Sequence, residues 1–533
     1  MNRHTPIVAA LLAFSIAASA PTSAQPDGSA AALWFDAHRD RPPLLRQFLT
    51  RLPKGADLHS HFSGAIYAES FLDWAAADQD CIDKARLVLV AAPCRPGGNL
   101  VAAGRLDDDT YDAMVDRMST KDLSQSGRSG HDQFFGTFDV FGLVGDDPRH
   151  GTAMLTEIRN RAAAENIAHL ELISGIQREC RDARDTCIAH LAGTLAWPEP
   201  ADGRPGQDLT AEFARMEDQL RAAGLPALAA EASQALDALE ASYAESQGCG
   251  GPSAKPGCAV SLLWEQETIR TQPPQRVFTE LAYAFALAGV NPRVAAINLV
   301  APEDDPVALR DYDLHMRMVA FFSRRAPKVR IALHAGELTL GLVPPERLRT
   351  HIREAVTVAG AERIGHGVVI GYEDSAFQTL RIMADRDTAV EVCLTSNDLI
   401  LGVKGQDHPF PDYLAAGVPV VLASDDAGVS RIDLTNEYLR AVRDYGLSYA
   451  QVKQLSRNGL TYSFLAGASL WRDPAHTAPV AACAHDEPGS ATPSQTCRDW
   501  LAGSAKAGRQ WALEAAFQSF ERAEDWAAGR PRS

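Results

Sequence analysis

Eight short runs rich in β-branched and aliphatic residues recur along the chain, at residues 56–62, 167–174, 259–266, 294–301, 330–336, 363–368, 389–396 and 418–423. Helix-like stretches lie between them, at 132–143, 152–165, 277–288, 311–323, 345–359, 377–384 and 434–445. Strands that alternate with helices form a parallel sheet, and eight such units close into a barrel. Several runs are almost continuously apolar, as parallel strands covered on both faces are. The expected fold is α/β, a (β/α)8 TIM barrel with helical and disulfide-bearing insertions.

Such a barrel needs about 250 residues, and the chain has 533. The surplus is expected in four places: a leader over 1–24, a helical segment over 25–52, an insertion at about 177–255 within a barrel spanning 53–472, and a disulfide loop and helix over 473–533. The insertion carries an Ala/Glu-rich helical pattern at 210–247, and the Pro/Ala/Asp-rich stretch 472–496 precedes an amphipathic helix around 504–528.

The chain opens Met1-Asn2-Arg3-His4, runs apolar from Ile7 to Ala18, and then offers small residues at Ala18-Ser19-Ala20 and Ser23-Ala24. That order is the pattern of a secretory signal peptide. Its apolar core is shorter than the ~20 residues that span a bilayer, so export to the periplasm or medium, free of the membrane after cleavage, is expected. Cysteine usage agrees. Eight of the nine cysteines fall into local pairs, Cys81/Cys94, Cys180/Cys187, Cys249/Cys258 and Cys483/Cys497, in Gly/Pro-containing loop sequence. Cys393, in an apolar run, reads as a buried, inert thiol.

Lys and Arg number 51 against 68 Asp and Glu, a formal charge of −17. This balance argues against nucleic acid as a partner, because phosphate binding rests on clustered cations. No GxSxG elbow, GK[ST] loop or GxGxxG fingerprint occurs. The chemistry concentrates at the strand ends. His59 and His61 close strand 1 in Asp57-Leu-His-Ser-His-Phe62, where strand alternation turns both imidazoles to one face. His334 closes strand 5 with Glu337 three residues on, His366 closes strand 6, and Asp425-Asp426 follow strand 8. An isolated HxH is more often packing than metal binding, and an isolated Asp-Asp is usually a turn. Together these groups collect at the C-terminal rim, where barrel active sites sit. Strand 4, Val294-Ala-Ala-Ile-Asn-Leu-Val-Ala301, lacks a Lys to bridge two ions, which favours one metal. The HxE/PCxxC deaminase architecture is excluded: His169-Leu-Glu171 is present but no PCxxC accompanies it.

His59-Ser-His61, His334-Ala-Gly-Glu337, Arg363-Ile-Gly-His-Gly367, Thr395-Ser-Asn397 and Ser424-Asp-Asp426 resemble, in order and spacing, the motif series of the adenosine deaminase family. The resemblance covers roughly 53 to 471. The leader, the cysteine pairs and Leu299-Val-Ala-Pro-Glu-Asp304 are similar to its secreted branch, the adenosine deaminase-related growth factors. The resemblance implies one Zn²⁺ per chain on His59, His61, His334 and Asp425, with an activated water. It implies His366 beside that water, accepting its proton or orienting it, and Glu337 as the proton shuttle to purine N1. Asp426 would bond purine N7. Phe134 and Phe138 match an apolar lid, a role that plain packing of an amphipathic helix would equally explain.

Departures from the family pattern bear on the substrate. Ser63 stands where an Asp often bonds the ribose, Ala301 where a Gly offers its N–H to purine N3, Asn298 at the preceding acidic position, and Leu394 in place of a Pro. The expected activity is hydrolytic deamination of adenosine or a close relative. Two alternatives stay open: an extracellular binding or signalling protein with little turnover, and a deaminase of adenine or an N6-substituted adenine nucleotide. The expected partner is a small purine nucleoside, and homodimerisation is left open.

Overall fold

The computed structural model of the protein describes residues 28–95, 98–176, 187–197, 208–523 and 526. The leader expected over 1–24 lies outside them. Eight parallel strands form one sheet in sequence order: β1 (Lys54–His61), β2 (Ile167–Ser174), β3 (Ser261–Ile269), β4 (Val294–Val300), β5 (Arg330–Ala335), β6 (Arg363–His366), β7 (Ala389–Val392) and β8 (Val420–Leu422). The ring closes at the C-terminal ends of its strands. Ser60 bridges Asp425, the Asp425 N–H donates to the His59 carbonyl at 2.9 Å, and the His61 N–H donates to the Asp425 carbonyl at 3.1 Å.

Helices wrap the barrel where the sequence supplies start signals. Asp305 caps Pro306–Arg325, whose first residue is a Pro, and Ser448 with Gln451 forms a capping box before Tyr449–Thr461. The outer helices pack their apolar residues inward. Along Pro306–Arg325 the inward residues include Leu314, Met318, Phe321 and Phe322. The barrel centre, by contrast, is polar. His169, Glu171, Glu265, Asn298, Arg363 and Glu391 are all essentially inaccessible to solvent, and they link the strands to the site above.

Several boundaries differ from expectation, for identifiable reasons. Strand 7 stops at Val392, because Thr395-Ser396-Asn397 belong to the helix Leu394–Leu401, where the Glu437 carboxylate accepts the Thr395 N–H at 3.0 Å. Strand 3 runs to Ile269 instead of ending at 266. The helix expected over 132–143 is two, Gly130–Phe135 and Phe138–Gly145, broken at Gly136-Thr137. The 210–247 pattern splits into Thr210–Ala222 and Leu225–Ser246 at Gly224, which takes φ 113°. The stretch 345–359 is likewise broken, since Glu373 captures the Ile352 and Arg353 N–H groups at 2.6 and 3.0 Å and starts a new turn at His351. A small antiparallel sheet of Cys81–Asp83, Val88–Val90 and Leu100–Ala102 was not anticipated.

Disulfides join Cys81 to Cys94, Cys249 to Cys258 and Cys483 to Cys497. Cys187 is disulfide-bonded, and Cys180, expected as its partner, lies outside the described residues. Cys393 is free and buried. The Cys483–Cys497 bond sits in a satellite core with Leu470, Trp471, Ala507 and Trp511, which the helix Ala505–Glu521 ties to the barrel. Among the described residues no helix is long and apolar enough to cross a membrane.

Candidate active site

β1 presents His59 and His61 from alternate positions, and the closed ring brings β5 and β8 against them. His334 Nε2 lies 3.0 Å from His59 Nε2 and 3.2 Å from His61 Nε2. Asp425 Oδ1 is 3.5 and 3.4 Å from the same two nitrogens. The four donor atoms lie within 4.8 Å of one another. The approach is close enough to require Gly365 beneath: a Cβ there would stand 2.6 Å from His59 Cε1.

Proton positions on two of these rings follow from their outer partners. His59 Nδ1 faces Glu391 Oε2 at 2.7 Å, and His334 Nδ1 faces Asn298 Oδ1 at 2.9 Å. Asn298 cannot be turned around, because its amide nitrogen donates to Glu265 at 2.9 Å while its oxygen accepts the His334 N–H. Nδ1 of His334 is therefore the donor and its Nε2 a bare lone pair. Burial and the neighbouring His59, His366 and His61 hold His334 well below the ordinary imidazole range, so it is neutral. Lone pairs and a carboxylate oxygen crowded this closely in a buried space repel one another unless a cation lies between them. Three imidazoles and a carboxylate, two of the imidazoles steadied by an outer hydrogen bond, fit a borderline divalent metal.

One guanidinium anchors both outer relays. Arg363 donates from Nη1 to Glu171 at 2.5 Å and from Nη2 to Glu265, while its Nε lies 2.5 Å from Glu391. Its planar group also lies 3.8 Å from the Phe464 ring centre. Glu391 leads to His59 and Glu265, through Asn298, to His334. A second carboxylate shapes the His334–Glu337 turn. Glu303 accepts the Gly336 and Glu337 N–H groups at 3.0 and 2.8 Å and pairs with His351 at 2.5 Å. Burial opposes its charge, but the His351 hydrogen bond and the His351 and Arg270 charges bring its pKa down to about 2.

Three groups around the donor cluster point polar atoms into the site without a protein partner: Glu337 Oε1, His366 Nε2 and Asp426 Oδ1. Burial, then the charges of Asp425 and Glu303, pushes the Glu337 carboxyl well above its usual range. Burial and Asp425 do the same to Asp426, so both are held protonated. Gly64 makes room for Asp426, since a Cβ there would meet its Oδ1 at 1.5 Å. Burial lowers His366 to about 3, and a relay assigns its tautomer. The Phe410 N–H donates to His408 Nδ1, so His408 Nε2–H donates to Asn397 Oδ1, and Asn397 Nδ2 donates to His366 Nδ1, each at 3.0 Å. His366 therefore carries its proton on Nε2 and offers the site a donor. Cys393 lies near His366 and Asp425, with burial pushing its thiol far up.

The residues expected to touch a substrate are less closely gathered. Ala301 follows β4 with φ 76°, and Ser63 lies half-buried in the turn after β1. Phe134 and Phe138 fall on either side of the helix break, 6.1 Å apart by ring centres, and Phe134 is packed in the core. The start of the short helix Gly130–Phe135 nevertheless sits between two rim segments. Gly130 packs on the Leu399 carbonyl at one side, and His131 Nε2 pairs with Asp304 at 3.0 Å on the other. Glu391, Glu265, Asn298, Glu303, Asn397 and His408 were not singled out as an outer shell from sequence. Neither was Glu267, two residues beyond Glu265 and close enough to His61 to act on it.

The adenosine deaminase family model matches residues 256–469. Curated relatives include an adenosine deaminase of Klebsiella pneumoniae, 40% identical over 136 residues (25% of this chain, 38% of that protein), and one of Enterococcus faecalis, 34% identical over 138 residues (26% and 37%). The chain thus spans less than half the length of the curated relatives it matches. A crystal structure of an amidohydrolase with bound Zn from Burkholderia ambifaria superposes with a TM-score of 0.51 at 17% identity, covering 89% of this chain and 94% of that one. That likeness is one of fold.

Proposed function

We propose that this chain, whose residues 256–469 match the adenosine deaminase family model, is a zinc-dependent aminohydrolase that converts adenosine or a closely related adenine nucleoside, with one water, to the inosine-type product and ammonia. The observation that carries the reading is the four-donor cluster of His59, His61, His334 and Asp425, ringed by three buried polar atoms that no protein group satisfies. Bound zinc supplies a Lewis acid that makes water nucleophilic near neutral pH.

The chain's own residues account for the remainder. Glu337, protonated by its burial beside Asp425, gives its proton to the ring nitrogen next to the amino-bearing carbon as water adds; its carboxylate then takes a proton from the attacking water, passes it to the amino group so that ammonia leaves, and recovers a proton from the remaining hydroxyl as the carbonyl forms. Asp426, also protonated, donates to the ring nitrogen on the opposite edge and holds the purine plane. His366 donates from Nε2 to the attacking oxygen, so the relay through Asn397 and His408 supports orienting that oxygen over accepting its proton. Glu303 steadies the turn that aims Glu337, and the helix Gly130–Phe135 restricts water at the mouth. The isosteric Glu337→Gln keeps the shape and removes the proton. It should lower kcat by about 10²–10⁴-fold with metal content unchanged, and retained turnover would refute the assignment.

Export is inferred from the leader-like start and from disulfides that form in oxidising compartments. N-terminal sequencing of the native protein should begin after the Ala18–Ala24 region, and an intact Met1 would refute it.

A further inference from the structure

We propose that the end of the barrel opposite the catalytic rim carries a second ligand site, one that takes the phosphate group of a small phosphorylated molecule. A cavity of about 490 Å³ opens there, where Arg330 and Arg363 begin β5 and β6 and where the C-terminal segment folds back with Arg472 and Lys506. Its volume is that of small-molecule sites, which form preferentially between packed units.

Three of the cations on its wall have no acidic partner. Lys506 Nζ donates to the Thr461 carbonyl, Arg386 to the Val356 carbonyl and Arg472 to the Pro479 carbonyl, each at 2.9 Å. Among the described residues no carboxylate lies within ion-pair distance of any of the three. Three carboxylates share the wall. Glu362 is held by Arg330, which leaves Asp387 and Asp473, the latter accepting the Thr477 and Ala478 N–H groups, against three positive charges.

This local excess of cations sits on a chain with a formal charge of −17, so it is no extension of a basic surface. Lys506 is half-buried, and burial pushes its ammonium down to about 8; a bound anion would offset that desolvation. Two guanidinium forks and an ammonium, none of them in an ion pair, suit the several oxygens of a phosphate better than a single carboxylate. The cavity is at the wrong end of the barrel to hold a phosphate of the substrate, so its ligand is a separate molecule.

Calorimetric titration of the full chain with inorganic phosphate and with ribose 5-phosphate, against chloride at matched ionic strength, tests the site. Saturable binding beyond the chloride control is expected. Tighter binding of ribose 5-phosphate would assign the organic part to the ligand, and equal binding would assign the phosphate alone. Arg386→Gln and Arg472→Gln, both at exposed positions, should each weaken binding about tenfold. Lys506→Gln should do the same if it folds, and the two arginine variants decide the matter if it does not. Absence of saturable binding, or affinity unchanged in both arginine variants, would overturn the proposal.

Discussion

Ala301, His366 and Asp425 stand at the ends of three barrel strands with φ of 76°, 68° and 57°, backbone that few non-glycine residues adopt. Such strain persists where surrounding structure enforces it, and it gathers at functional sites. For His366 and Asp425 it aims the side chain, whereas at Ala301 a methyl gains nothing from it. Left-handed backbone costs an L-residue about 1–2 kcal/mol, and glycine adds about 0.5–1 kcal/mol of unfolded-chain entropy. Ala301→Gly should therefore raise stability by about 0.5–1 kcal/mol, read as a higher urea midpoint; a lower midpoint would show that the methyl packs productively. The clustering of the four candidate donors was legible in sequence because residue type and strand alternation coincide at His59 and His61, and because His334 and Asp425 also end strands. The outer shell was not. Glu391 meets His59 across 332 residues, and nothing local distinguishes it from any other acidic residue in an apolar strand. Asn298 read as a departure from the family pattern, yet it sets the proton on His334.

Among the elements, the helix Pro306–Arg325 carries an unusual buried group. His315 is 1% exposed, its Nε2 has no partner, and burial, then the charges of Arg270 and Arg310, lowers its pKa to about 3. The folded chain keeps this imidazole neutral, while in the unfolded chain it takes a proton as pH falls through about 6.5. The lowered folded pKa thus makes stability fall with pH between 6.5 and 3. His315→Met, close in volume and without a titrating group, should lose about 2 kcal/mol less than the parent between about pH 7 and about pH 5. Urea midpoints at the two pH values measure this, and equal losses would mean that the imidazole is not the titrating group. Element existence followed from periodicity, as in Leu434–Tyr445, but breaks did not. The split at His351 depends on Glu373, about twenty residues downstream in sequence but adjacent in space.

At the scale of the molecule, eight alternations dictated the barrel, and three of the four local cysteine pairs are disulfides among the described residues. The polar barrel centre was hidden, because the same strands read as buried and apolar until Arg363 is seen to meet Glu171, Glu265 and Glu391. That hub joins the two relays behind His59 and His334, so site and fold are one network. The most direct test of the whole account is ammonia release by the purified protein from adenosine, 2′-deoxyadenosine, adenine, AMP and N6-methyladenosine, with bound metal assayed in parallel. Release from adenosine or 2′-deoxyadenosine is expected with about one zinc per chain, lost on chelation and restored by zinc. Silence across the panel with zinc bound would contradict it.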